Sequence, residues 1–104
     1  MAICTVLIRF RLADAASIPA ARTAMSELVD SVRAHEPEML TYVAYQEADQ
    51  PLRFCSYMEF LDERGYEHHS TSAHLRRFVA AIAPLCSEEP DCTRLTELRR
   101  AEPA

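Results

Sequence analysis

Apolar and polar residues alternate at the start of the chain. From Ile3 to Leu12 every even position is apolar, whereas the odd positions mix apolar and polar side chains. A period of two over this length predicts a β-strand with one face in a core. Because Ile3 and Leu7 make the second face half apolar, we expect that face to be covered over part of its length.

The pattern then changes to that of a helix. Ser17 is a candidate N-cap, and Pro19 falls in the first turn, where a missing N–H costs little. Apolar residues follow at spacings of three and four, which is typical of one stripe of an amphipathic helix: Ile18, Ala21, Met25, Leu28, Val29 and Val32. The helix is predicted to end before Pro37.

The remaining pattern predicts a hairpin, two helices and a last strand. The β-rich runs "MLTYVAYQE" and "RFCSYMEFL" are joined by "ADQPL", whose Asp and Pro favour a turn and therefore an antiparallel hairpin. Residues 62–86 have a helical period that Ser70, Thr71 and Ser72 interrupt. Each of these hydroxyl residues is able to cap a new start, so two helices meeting at an angle are predicted. "CTRLTEL" supplies a short final strand.

The predicted order of elements is β-α-β-β-α-β, the ferredoxin-like arrangement of an α+β fold, with an antiparallel sheet and helices on one face. The other face has mixed polarity, and we expect a second copy of the chain to cover it in a two-fold homodimer. One domain is predicted over residues 1–99, followed by a polar C-terminal tail over residues 100–104.

Composition removes several classes of function. The net charge is −5 and the chain has no Lys, Asn or Trp, so nucleic-acid binding and lysine-based chemistry are not expected. Gly65 is the only glycine, which excludes a Gly-rich phosphate loop. No apolar run is long enough for a membrane span. The cysteines form no Cys-x-x-Cys pair and are read as reduced thiols of a cytoplasmic protein: Cys4, Cys55, Cys86 and Cys92.

Three of the four histidines lie in the stretch "YEHHSTSAH". On one unbroken helix His69 and His74 would point about 140° apart, and no Cys or carboxylate with ligand spacing offers a third ligand, so no metal is predicted. A histidine is also suited to act as a general base near neutral pH. The alternative is that these side chains hydrogen-bond locally, to Glu67 or to nearby hydroxyls. His35 is assigned only a favourable position at a helix C-terminus.

The segment from Tyr57 to Phe78 resembles the signature of the antibiotic biosynthesis monooxygenase family of dimeric α+β barrel proteins. In that signature a strand ending in an aromatic residue, usually Trp, leads to a His, a second His five residues later and then an apolar or aromatic residue. The matching residues are Phe60, His69, His74 and Phe78. Upstream, "EPEMLTY" resembles the turn and second-strand start of the family, with Tyr42 at its usual Tyr.

The resemblance implies one of several activities known in the family. Its members include monooxygenases that oxidise anthrones or quinols without metal or flavin, haem-degrading enzymes and an isomerase of a signalling sugar phosphate. This chain has Ser56 and Phe60 where some monooxygenases carry Asn and Trp, and Ile8 where haem-degrading relatives carry Asn. Met58 and Glu38 replace a usual Glu and a usual Gly. Haem degradation of that form is therefore not expected.

Strand parity and the resemblance together predict an apolar cleft with few polar groups. Its catalytic residues would be His69 and His74. The substrate-binding residues would be Ile8, Phe10, Tyr42, Ser56, Met58, Phe60 and Phe78. Each apolar side chain taken alone is more typical of a filled core, and it is their convergence on His69 and His74 that favours a cleft.

The predicted function is a cofactor-independent monooxygenase that uses O2 on a phenolic, anthrone-like or quinol small molecule, with a histidine moving the proton. Two alternatives stay open. One is a non-catalytic dimer that binds a hydrophobic ligand or serves a stress response. The other is a cofactor-free isomerase or cyclase that uses the same histidines.

Overall fold

The computed structural model describes residues 2–103; Met1 and Ala104, at the ends of the two predicted ranges, lie outside the described residues. Residues 2–103 form four strands and three α-helices, with short 3-10 turns at Ala15–Ser17 and Ala83–Leu85. In chain order they are β1 (Cys4–Arg11), α1 (Ile18–His35), β2 (Met39–Gln46), β3 (Arg53–Phe60), α2 (Glu63–Ser70), α3 (Ala73–Ile82) and β4 (Asp91–Leu95).

The strands form one sheet in the order β2-β3-β1-β4. All three pairings are antiparallel, with Ile8 of β1 opposite Ser56 of β3 and Cys92 of β4. The predicted ferredoxin-like α+β fold is confirmed, including the hairpin of β2 and β3. Within the described residues no helix is both long enough and apolar enough to cross a membrane.

The even positions of β1 face the helices, as the alternation predicts. Buried side chains between sheet and helices fall into two clusters, one of Phe10, Leu12, Ala21, Met25, Phe54 and Ile82, the other of Cys4, Val6, Met58 and Phe60. Full burial of a side chain of this size stabilises the fold by roughly 1.5–3 kcal/mol. Members of both clusters line a cavity that lies between them.

The break between α2 and α3 has the capping chemistry that the sequence predicts. Asp62 accepts a hydrogen bond from the Gly65 N–H at 3.0 Å and so caps α2. Ser72 accepts from the Leu75 N–H at 3.2 Å and caps α3, while its own hydroxyl donates to the His69 carbonyl at 2.8 Å. The chain therefore changes direction between two capped helices.

Gly65 allows α2 to pack directly on the β2–β3 hairpin. A Cβ at this position would lie 2.8 Å from the Cβ of Glu38 and 3.2 Å from that of Phe60. Both contacting atoms are Cβ atoms, which are bonded directly to the backbone, so neither could move without a shift of that backbone. The only glycine of the chain thus sets how closely the histidine-bearing helix approaches the sheet.

The outer face of the sheet carries no helix within the described residues. Leu7, Val43 and Tyr57 are half-buried there. Part of the chain beyond β4 reaches this face, because the Arg100 guanidinium donates to the Glu59 carboxylate at 2.9 Å and Tyr57 donates to the same carboxylate at 2.7 Å. Much of the face nevertheless stays open to solvent or to a partner.

Candidate active site

A buried carboxylate joins the two histidines that the sequence singles out. The Glu36 side chain is only 1% exposed, and those of His69 and His74 are 3% and 9% exposed. His69 Nδ1 lies 3.1 Å from Glu36 Oε1 and 2.9 Å from Oε2, and His74 Nε2 also bonds to Oε2. Since an ionised carboxylate only accepts, both ring N–H groups donate to it.

Local sequence explains how these three side chains meet. Pro37 disfavours helical geometry at the residue before it, and Glu36 accordingly leaves the helix with φ −123° and ψ 85°. The break between α2 and α3 removes the separation of about 140° that a continuous helix would impose on His69 and His74. Both rings can then reach one carboxylate, which lies 33 and 38 residues upstream.

The Glu36 carboxylate is ionised at neutral pH. Burial acts to raise its pKa, but the hydrogen bonds from His69 and His74 act in the opposite direction, and the net result is a pKa below the usual value. Donation by two ring N–H groups to the charged form accounts for this direction. The site therefore holds a fixed negative charge beneath His69.

His69 connects this charge to the cavity. With Nδ1 donating to Glu36, the lone pair of a neutral ring lies on Nε2. Among the described residues Nε2 has no hydrogen-bond partner. Every fully buried side-chain nitrogen or oxygen in this part of the chain has a partner, so Nε2 is not fully buried. Nε2 therefore keeps some open space, and His69 lines the cavity. In the neutral form of the ring, this geometry presents an unprotonated nitrogen to whatever occupies the cavity.

The cavity has a volume of about 200 Å³ and a mainly apolar wall. Seven of the nine predicted site residues line it: Ile8, Phe10, Tyr42, Ser56, Met58, His69 and Phe78. The polar side chains on the wall are His69, Tyr42, Ser56 and Tyr66. Burial raises the pKa of the Tyr66 hydroxyl to about 12, with a further contribution from its hydrogen bond to Cys92.

His74 and Phe60 are the two predicted residues that do not line the cavity. His74 bonds to Glu36, and its ring stacks on that of His35 with centroids 6.0 Å apart. Phe60 is fully buried, with its ring 5.3 Å from that of His69 and 5.9 Å from that of Tyr66. Both residues therefore support His69 from outside the cavity.

The alternative in which the histidine side chains bond to Glu67 or to nearby hydroxyls is wrong. His69 and His74 bond to Glu36, and the exposed His68 pairs with Glu38 at 3.2 Å. Sequence reasoning assigned no role to Glu36. A signal was present, because a Glu at a helix C-terminus opposes the helix dipole and needs another reason to be there.

Among the described residues Glu36, His69 and His74 also form a group that could hold a metal ion, with ligand atoms within 4.8 Å of one another. The expectation that no carboxylate accompanies the histidines is therefore wrong. A metal would have to replace both hydrogen bonds to Glu36, and a catalytic metal also needs an open coordination position. The residues present fit hydrogen bonding between the three groups better than they fit a metal centre.

The fold is similar to several solved structures. Rv0793 from Mycobacterium tuberculosis is 20% identical, with a TM-score of 0.85 over 97% of this chain and 100% of that one. A structure described as an antibiotic biosynthesis monooxygenase is 20% identical, with a TM-score of 0.84 over 92% of this chain and 99% of that one. A conserved protein from Methanosarcina mazei Go1 is 17% identical, with a TM-score of 0.82 over 91% and 92% of the chains. At these identities the likeness concerns the fold.

Sequence comparison gives the family. No curated protein matches the sequence significantly. The family pattern described as "Antibiotic biosynthesis monooxygenase" matches residues 3–81, a range that extends from β1 into α3 and includes Glu36, His69 and His74. The chain belongs to the antibiotic biosynthesis monooxygenase family.

Proposed function

We propose that this protein is a cofactor-independent monooxygenase that oxidises a phenolic, anthrone-like or quinol small molecule with O2. The observation that carries the proposal is the position of His69, which links a buried carboxylate to an apolar cavity. Membership of the antibiotic biosynthesis monooxygenase family supports the reaction class.

In the proposed reaction His69 Nε2 is the general base. It removes the hydroxyl proton of a phenolic substrate, and the resulting imidazolium is stabilised by the Glu36 carboxylate at Nδ1. Glu36 is a positioning residue that fixes the tautomer and the orientation of the ring. His74 bonds to Oε2, the carboxylate oxygen that is also nearer to His69 Nδ1, and keeps the carboxylate from rotating.

The chemistry needs no external electron donor. The phenolate donates electrons to O2, and a C–O bond forms at a ring carbon to give a peroxide. The proton on His69 passes to the distal peroxide oxygen, and the ring C–H proton is then lost as the O–O bond breaks. Phenol plus O2 thus becomes quinone plus water, with the substrate supplying all four electrons. The apolar wall of the cavity limits the access of water to the intermediate.

We also propose that the protein acts as a homodimer. The half-buried residues on the outer face of the sheet support this, because Leu7, Val43 and Tyr57 have no helix against them in the described part of the chain. A small domain buries a modest share of its surface alone, so covering this face would add stability.

Oxygen uptake tests the proposed activity. Protein treated with a chelator is mixed with hydroquinones and naphthols in an oxygen electrode, and uptake with matching quinone formation is expected. His69→Ala should slow turnover by roughly 10²–10⁴-fold, the usual contribution of a general base. His68→Ala is the matched control, because His68 is exposed and pairs only with Glu38.

Other outcomes separate the alternatives. Absence of uptake with every substrate of the panel contradicts the proposal. Turnover that continues without oxygen indicates an isomerase or cyclase, and binding without turnover indicates a ligand-binding domain. Equal loss in His68→Ala and His69→Ala would remove His69 from the role of base.

A further inference from the structure

We propose that Tyr42 donates a hydrogen bond to the substrate oxygen as that oxygen becomes anionic, and that the substrate has one ring or two fused rings. The proposal deepens the proposed function and rests on it for the identity of the anion. It assigns to Tyr42 the role of an oxyanion donor in the same cavity as the base.

Strand pairing directs Tyr42 into the cavity. Tyr42 lies opposite Met58 in the β2–β3 pairing, so both side chains project to the helix side of the sheet. Both line the cavity, and the Tyr42 ring lies with its centroid 5.5 Å from that of His69. A substrate oxygen next to His69 Nε2 would therefore lie beside the Tyr42 ring as well.

The hydrogen-bonding state of Tyr42 fits donation to a ligand. The Ser56 side chain lies near the Tyr42 hydroxyl and acts to lower its pKa. No hydrogen bond of normal distance and angle is found for the Tyr42 hydroxyl among the described residues, where no fully buried side-chain oxygen lacks one. The hydroxyl therefore keeps open space and is able to bond to a molecule in the cavity, which Ser56 also lines.

Electrostatics keep this donor protonated. Burial raises the pKa of the Tyr42 hydroxyl well above its usual value, the nearby Ser56 side chain opposes the rise, and the charge of Glu36 adds to it. The other titratable groups at this end of the cavity are His69 and Tyr66. A protonated hydroxyl in an apolar, partly closed site stabilises a phenolate more than it would in water.

The volume of the cavity limits the size of the substrate. An apolar cavity of about 150 Å³ is filled by benzene, so a cavity of this kind with a volume of about 200 Å³ suits one substituted ring or two fused rings. Three fused rings, as in an anthrone, exceed it, so the inference narrows the proposed substrates to phenols and quinols with one or two rings. Phe10, Phe78 and Ile82 supply flat, apolar walls for such a ring system.

Binding of a nitrophenol tests the donor without any oxygen chemistry. 4-Nitrophenol and 4-nitro-1-naphthol absorb differently as phenol and phenolate, so titration with pH under anaerobic conditions gives both the affinity and the pKa of the bound probe. Tyr42→Phe should weaken phenolate binding roughly 10- to 100-fold, as expected for a lost hydrogen bond to a charged group, and should raise the pKa of the bound probe. Ser56→Ala should produce a smaller change in the same direction.

Tyr45→Phe is the matched control, because Tyr45 lies on the same strand but is 50% exposed. It should bind both probes as the wild type does. Equal phenolate affinity for Tyr42→Phe and wild type, or binding of a three-ring hydroxyanthracene as tightly as the naphthol, would overturn the inference. Loss of phenolate preference in Tyr42→Phe, combined with no oxygen uptake by the wild type, would refute the oxygenase proposal while leaving the role of Tyr42 intact.

Discussion

Glu36→Gln changes the site while keeping the shape of the side chain. The carboxylate accepts from two ring N–H groups, whereas an amide has one accepting oxygen and one NH2 donor. If the amide oxygen replaces Oε2, both histidines can still donate to it, but the NH2 group then replaces Oε1 and faces the His69 Nδ1–H. In the opposite orientation the NH2 group faces both rings. Either orientation places an N–H group against His69 Nδ1–H, which favours a shift of that proton to Nε2.

The expected loss of stability follows from these bonds. A hydrogen bond to a charged group contributes about 1.5–3 kcal/mol and a neutral one about 1 kcal/mol. Two charged bonds replaced by one or two neutral ones give a loss of roughly 1–5 kcal/mol, and the smaller cost of burying an amide offsets part of it. We expect a decrease of about 2 kcal/mol in the free energy of unfolding, which a domain with the usual 5–15 kcal/mol survives.

The same change should affect activity more than stability. If His69 is the ring that moves its proton, Nε2 becomes a donor and no longer accepts a proton from the substrate. Even a partial shift of tautomers depletes the active form. We expect turnover to fall by roughly 10²–10⁴-fold, the contribution of general-base catalysis, while folded protein is recovered.

Urea unfolding at pH 7 and oxygen uptake measure the two effects on one preparation. Glu38→Gln is the matched control, because Glu38 lies two residues away and pairs with the exposed His68. This variant should lose less than about 1 kcal/mol, as for other exposed pairs. Unchanged stability and turnover in Glu36→Gln would refute the argument that Glu36 orients the base.

Further substitutions test the acid dependence and the elements around the site. Folding lowers the pKa of Glu36, so the ionised carboxylate stabilises the fold above its usual pKa of about 4.5, and this stabilisation is lost as the pH falls through the lower folded pKa. The stability advantage of wild type over Glu36→Gln should therefore shrink in acid. An advantage that grows in acid would contradict the lowered pKa. Gly65→Ala should cost about 1–3 kcal/mol in thermal unfolding by overpacking, and an unchanged midpoint would show that α2 shifts freely. Ser72→Ala should cost about 1–2 kcal/mol by loss of the α3 cap, with Ser70→Ala as an exposed control. Tyr57→Arg on the outer face should shift the protein from dimer to monomer in sedimentation, and a wild type that sediments as a monomer would contradict the dimer.

Local chemistry made much of this fold predictable. The alternation in β1 follows from strand geometry, and it placed Ile8 and Phe10 on the face where the cavity lies. Hydroxyl side chains at Ser70–Ser72 compete for backbone groups, which is why the break between α2 and α3 was visible in the sequence. The alternation along a strand gives the face on which a residue lies but not whether it lines the cavity. Phe60 lies on the same face as Met58, yet only Met58 lines the cavity.

The sequence by itself determined the order of elements and the face of each strand, because these depend on periods of two and 3.6 residues and on nearby capping groups. The resemblance to the family signature selected the histidines of interest. Only the tertiary structure decided that Glu36, separated from His69 by 33 residues, would be the partner of both histidines. It also decided that His69 reaches the cavity while His74 does not. Hydrogen bonds between distant residues depend on how the helices pack on the sheet, and no local pattern records that packing.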